Sequence, residues 1–125
     1  VFDLARAAVE GALAAGAHYA DARVVLSKNQ SISVQNAEPQ SIDRVELAGV
    51  GVRALIGSGW GFYATSDLTA SSARRAGERS AEIARASASV PGPEMPLADV
   101  PVVDDFYETP YDIDPFSVPV SDKVD

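Results

Sequence analysis

Gly49, Gly51 and Ala54 in the stretch GVGVRALIGSGWGF satisfy G-x-G-x-x-[GA], the spacing by which a backbone cradles a dinucleotide pyrophosphate. Asp67 lies 18 residues beyond Gly49, close to the roughly 20 at which a ribose-binding acid is expected. That chemistry needs the glycines to follow a strand and open a helix, so that helix N–H groups meet the phosphate. Here Gly51 leads into Val52, Arg53, Ala54, Leu55, Ile56 and then Gly57, which is the pattern of a strand. Gly57-Ser58 between two such runs is the signature of a two-residue type II′ hairpin, with glycine first where φ must be positive. The glycines therefore serve sheet geometry, and no cofactor is expected on them.

The other groups capable of chemistry do not assemble either. His18, the only histidine, has no cysteine, second histidine or H-E-x-x-H spacing to complete a metal site. Glu38, Asp43 and Glu46 could pair for acid–base work, but they flank Pro39 and occupy polar strand positions, as a solvated edge does. Ser58 sits in G-S-G ahead of a strand, unlike the G-x-S-x-G elbow that precedes a helix. Arg74, Arg75, Arg79 and Arg85 alternate with Glu78 and Glu82, the pattern of a solvated helix face with i,i+4 pairs. No residue is assigned a catalytic, cofactor-binding or metal-binding role.

The elements that carry these residues follow from periodicity. A helix is expected from Leu4 to Ala15, capped by Asp3 and ended by Gly16, with Ala5, Ala8, Val9, Ala12 and Leu13 as its apolar stripe. From Tyr19 to Thr65 the period becomes two. ADARVVLS, with Ala22, Val24 and Leu26 on one face, SISVQ, SIDRVELA after a break at Pro39, VGVRALI and WGFYAT read as five strands. Ile42 is out of phase with Val45 and Leu47, which places a bulge near Asp43. A second helix spans Thr69 to Ala88 and would bury Ala73, Ala76, Gly77, Ser80 and Ala84. The fold class expected is α+β: a mainly antiparallel sheet of about five strands flanked by two helices, with an extended Pro-rich acidic tail.

The Gly57-Ser58 turn sets the hairpin register. Ile56 faces Gly59, Leu55 faces Trp60, Ala54 faces Gly61 and Arg53 faces Phe62. One face then carries Val52, Ala54, Ile56, Gly59 and Gly61, small enough for close helix packing. The other carries Arg53, Leu55, Trp60 and Phe62. Two helices cover only one face of such a sheet, so these four residues are the expected interface, the alternative being that the tail's own aromatics fold back over them.

Charge is uneven along the chain. Residues 1–89 hold nine acids and nine bases, whereas 90–125 hold nine acids, one base and seven of the eight prolines. The expected division is a 1–89 α+β domain followed by a 90–125 extended linker. Phe106, Tyr107, Tyr111, Ile113 and Phe116 make that linker a strap along a folded surface, and Ser121 opens a helix just as the chain stops. With Val1 in place of methionine at the start, the chain is expected to be a piece of a longer protein. No clustered Lys/Arg patch favours nucleic acid, and no apolar run reaches the ~20 residues of a membrane span. The absence of cysteine favours a reducing compartment.

GAHYADARV, GVGVRALIGSGWGFYATSDLT, the Ala-rich helix after it and the DPFSVPVSDKVD exit resemble the amino-terminal domain of the TldD/PmbA family, often labelled modulators of DNA gyrase. The G-W-G-F-Y-A-T-S-D-L-T wording is closer to the TldD side. The resemblance implies a cytoplasmic metallopeptidase assembly that encloses its active site and cleaves flexible peptides. TldD-type subunits of the family carry a zinc-binding H-E-x-x-x-H motif, and PmbA-type partners lack it. No such ligands occur in this segment, so zinc is implied for the parent alone. By this resemblance the segment is a non-catalytic domain that helps enclose the chamber and contacts the remainder of its chain or a homologous subunit. A stand-alone module that binds extended peptides by strand addition is the alternative. After dialysis the chain should hold no stoichiometric zinc by elemental analysis, and His18→Ala should leave its metal content unchanged; one tightly held zinc lost with His18 would overturn this.

Overall fold

The computed structural model describes residues 1–90, 92–93 and 96–124. Its elements are α1 (Phe2–Ala14), β1 (Tyr19–Gln35), β2 (Glu38–Ile56), β3 (Gly59–Thr65), α2 (Ala70–Ala88) and α3 (Val120–Val124). The strands form one sheet in the order β1-β2-β3. The class is α+β with an antiparallel sheet, as expected, but the sheet has three strands in place of about five.

The two lost strands were never separate. ADARVVLS and SISVQ lie on the single strand β1, and SIDRVELA and VGVRALI on the single strand β2. The polar Lys28-Asn29-Gln30 stretch and Gly49 weaken a hydrophobic pattern without turning the backbone. The reversal between β1 and β2 is at Asn36-Ala37, both with positive φ (53° and 61°), the geometry of a type I′ turn. Alanine is rare in that region because its Cβ crowds the backbone, so the sequence does not announce the turn. Pro39, expected to break the chain, is the second residue of β2, a place open to proline where its missing donor is not needed.

By contacts the chain divides into two compact units. The first comprises residues 1–28 and 46–96 and contains the core. Between β2 and β3 the register is the expected one: Arg53 opposite Phe62, Ala54 opposite Gly61, Leu55 opposite Trp60 and Ile56 opposite Gly59. Gly57 has φ +57°, as a type II′ turn demands. Val50, Val52 and Ala54 are fully buried together with Ala8 and Ala12 of α1 and Ala73, Ala81 and Ala84 of α2. The largest fully buried side chains are only Val50, Val52 and Ser80. The Ser80 hydroxyl donates to the Gly77 carbonyl at 2.7 Å, so the buried polar group is satisfied.

Contact this close depends on glycine. A Cβ at Gly61 would run into the Ser80 carbonyl oxygen and Ala84 nitrogen of α2, and one at Gly77 into the Ala8 carbonyl of α1. α1 is rotated slightly from expectation, burying Ala8, Gly11 and Ala12 while Leu13 stays exposed, because Gly11 abuts the α2 backbone at Arg74. Its N-cap is Val1, without a side-chain bond, and Asp3 falls inside the first turn, where its charge still favours the helix dipole. Thr69 caps α2 by accepting from Ser72 N–H.

The second unit comprises residues 29–45 and 97–125. Within it Lys123 Nζ of α3 donates to Gln30 Oε1 on β1. Phe106 and Tyr107 are 81% and 82% exposed. Residues 97–110 form no helix or strand.

Gly61→Ala should destabilise the chain by about 1–3 kcal/mol through overpacking against α2, read as a lower urea midpoint. Ala37→Gly should act in the opposite direction, by about 1 kcal/mol, because it relieves the left-handed alanine. A neutral Gly61→Ala would contradict the close packing.

Candidate functional site

The helices cover the Val50, Val52, Ala54, Gly59, Gly61 side of the sheet. Strand alternation puts Tyr19, Asp21, Arg23 and Val25 of β1, Gly49, Gly51, Arg53 and Leu55 of β2, and Trp60, Phe62 and Ala64 of β3 on the opposite side. This second side has no helix in its own unit.

The four interface residues expected from sequence do lie together, but differ in access. Phe62 is 60% exposed, Trp60 is half-buried and Arg53 is exposed, whereas Leu55 is only 4% exposed. Leu55 therefore lends support and no surface. Trp60 is its cross-strand partner, and the Tyr19 and Trp60 rings meet edge to face, 5.9 Å between centroids and 78° between planes. Tyr19 is brought to this level by the His18 N–H, which donates to the Leu55 carbonyl at 3.1 Å. The aromatic pair thus spans the central strand, a contact worth about 0.5–1.5 kcal/mol beyond area burial.

Arg53 is fixed by two partners. Its Nε and Nη2 donate to the Asp21 carboxylate at 3.0 and 2.7 Å, and its guanidinium carbon lies 5.4 Å from the Trp60 ring centroid. Both side chains of the ion pair are more than a third exposed, so it contributes under about 1 kcal/mol; its effect is to orient the guanidinium. Burial raises the Tyr19 phenol above its ordinary value of 10.0, and the neighbouring Asp21 carboxylate raises it further. Tyr19, Asp21 and Arg23 were legible only as the polar half of an alternation whose apolar half, Ala22 and Val24, drew attention first.

Beside this cluster runs a groove of about 450 Å³ with Gly49 and Gly51 on its floor. Asp21, Arg23 and Val25 form one wall, Phe62 and Ala64 the other, and Arg53 lies at one end. The Phe62 ring leans over Gly51, where a Cβ would come within 3.2 Å of it. Arg23 is exposed and makes no ion pair among the described residues.

Several of the remaining reactive residues are spent on structure. Glu46 pairs with Lys28 at 3.4 Å. Asp67 accepts from Ser72 Oγ at 2.6 Å and from Thr69 N–H at 3.2 Å, and the Ser72 bond holds its carboxyl below the usual carboxylate value. The α2 arginines depart from the expected i,i+4 ladder. Arg74 reaches Glu10 of α1 at 2.9 Å, Arg79 pairs with Glu82 at i,i+3, and Arg85 donates to the Ala15 carbonyl at the end of α1. They join two helices as much as they solvate one. Among the described residues, no three His, Cys, Asp or Glu gather as metal ligands would, and no helix is long and apolar enough to cross a membrane.

Residues 20–84, just over half of the chain, match the family model described as PmbA/TldA metallopeptidase domain 1. No curated protein matches the chain.

The Tyr19 shift has a definite sign. A phenol whose folded pKa is raised holds its proton more tightly when folded. Its stabilising contribution is complete below about 10 and is lost as pH climbs through the folded value. The urea midpoint should accordingly fall more steeply above pH 10 in the unaltered chain than in Tyr19→Phe. Absorbance titration should show one late-titrating phenol that the variant lacks. Identical alkaline profiles would contradict the Tyr19 environment described.

Proposed function

The chain belongs to the PmbA/TldD metallopeptidase family, and on that premise we propose that it is the non-catalytic amino-terminal domain of a TldD-like zinc metallopeptidase. In this reading it helps enclose the chamber in which flexible peptides are cleaved. It meets the remainder of its own chain or a homologous subunit through the open face of its sheet. The setting is cytoplasmic, and neither nucleic acid nor lipid is a partner.

The observation that carries this reading is the contrast between the two faces of one sheet. One is covered by the helices, with α2 in backbone contact with β3. The other presents Phe62, Trp60 and Arg53 around an open groove. Large aromatic groups left beside a preformed groove mark a contact surface more often than a solvent face. The donor set of this chain does not fit zinc, with His18 its sole histidine and no cysteine. The metal and the hydrolytic step therefore belong to residues outside it, and the part played here is positional.

In the full-length protein, Phe62→Asp should lower peptidase activity at least tenfold while the zinc content of the enzyme is unchanged. The 125-residue chain alone should cleave no fluorogenic peptide. Full activity and unchanged assembly in Phe62→Asp, or hydrolysis by the isolated chain, would overturn the reading.

A further inference from the structure

The outer edge of β3 carries main-chain groups with nothing to bond. The turn bond joins Ile56 to Gly59, and alternation along the register then bonds Ala54 with Gly61 and Val52 with Tyr63. Residues between these pairs turn the other way. On β2 the Leu55 carbonyl accepts from His18 N–H, at the start of β1 and so on the side away from β3. Its opposite number Trp60, and with it Phe62 and Ala64, therefore point their N–H and C=O groups away from β2. β3 ends the sheet, and among the described residues no backbone group bonds to theirs.

Edges of this kind are ordinarily guarded by charge, proline or a bulge. β1, the other edge strand, carries Asp21, Arg23 and Lys28, but GWGFYAT of β3 has no charged residue and no proline. Its register runs without a break from Thr65 to Gly59, so no bulge turns it aside. Apolar groups border the edge on both sides. On the open face Phe62 and Ala64 are exposed. On the helix face Tyr63 is exposed, and it lies near Arg79 of α2, whose charge is held by Glu82 first and by Tyr63 as well. Ile83 follows Arg79 by one turn on the same side of α2 and is also exposed.

These features define the chemistry of an occupant. A row of unmade main-chain bonds is completed by another extended main chain. Charge does not select its sequence, because Arg79 is paired with Glu82 at 2.7 Å and Arg53 with Asp21 at 2.7 Å. We propose that the outer edge of β3 binds a separate, unfolded peptide as an added strand. Its alternate side chains lie against Phe62 and Ala64 on one face and against Tyr63 and Ile83 on the other. Recognition through the main chain tolerates many sequences, so the edge suits a varied set of peptides with apolar residues in alternation. This inference rests on the peptidase reading and adds a place where a peptide is held before it is cut.

The test is fluorescence anisotropy of a fluorescein-labelled peptide of alternating threonine and valine, titrated with the 125-residue chain. Saturable binding is expected. Methylating every amide nitrogen of the peptide should abolish it. Methylating alternate nitrogens leaves one peptide edge able to bond and should preserve it. Ala64→Pro removes an outward N–H and spares the β2–β3 ladder. It should weaken binding about tenfold, the worth of one or two main-chain bonds, with circular dichroism unchanged. Absence of binding, or equal binding of the fully methylated peptide, would overturn the inference whether or not Ala64→Pro folds. So would a dimer in sedimentation that Ala64→Pro dissolves and the peptide does not disperse, since the edge then pairs with its own copy. Capture is read here apart from cleavage. A failure to bind leaves the domain's assignment standing, whereas hydrolysis of the probe by this chain would sink that assignment and not the capture.

Discussion

The backbone of α2 rests directly on the backbone of β3, and most of the first unit follows from that contact. Nothing larger than hydrogen fits at Gly59 and Gly61 beneath Ser80, Ala84 and Ala88, or at Gly77 against α1. Such closeness excludes bulky side chains from the interior, which is why its residues are mostly alanine and two valines supply its largest apolar groups. The sheet still has two faces and a strand still alternates. The large residues of β3 are therefore displaced to the side away from the helices. The tight side and the exposed aromatic side are consequences of one packing choice.

That displacement also shapes the open face. Trp60 and Phe62 alternate with Gly59 and Gly61, so each close contact below is matched by a ring above. Tyr19 and Trp60 lean together edge to face, and Asp21 and Trp60 hold Arg53 between them. Each group in this chain of contacts is positioned by another, so the rim of the groove is ordered before anything enters it. Preorganisation of this kind reduces the side-chain entropy lost on association.

Sequence reasoning succeeded where local chemistry dictates geometry. Gly57-Ser58 defines its turn by steric necessity, and the register of Arg53 with Phe62 and Leu55 with Trp60 follows from turn length alone. The small stripe of α2 was equally legible, since helical periodicity and residue size agree there. It failed where tertiary context overrides local signals. Ala37 adopts a positive φ that no alanine advertises, and Pro39 sits inside a strand that its presence argues against. The polar Lys28-Asn29-Gln30 stretch and Gly49 were likewise read as strand ends, and so three strands as five. Within the site, Tyr19 was missed because its partner Trp60 is 41 positions away in the sequence. No local pattern links two residues on strands that a single tight turn does not join.

An interior of alanine, glycine and valine has a thermal consequence. The heat-capacity increase on unfolding comes from newly hydrated apolar surface, at about 0.45 cal/K/mol per Å². Alanine and glycine hide little such surface when folded, so the first unit releases less of it than a leucine-rich core of equal length. Its free energy of unfolding then varies gently with temperature. The curve is broad and shallow, and cooling erodes little of the stability that heating would take away.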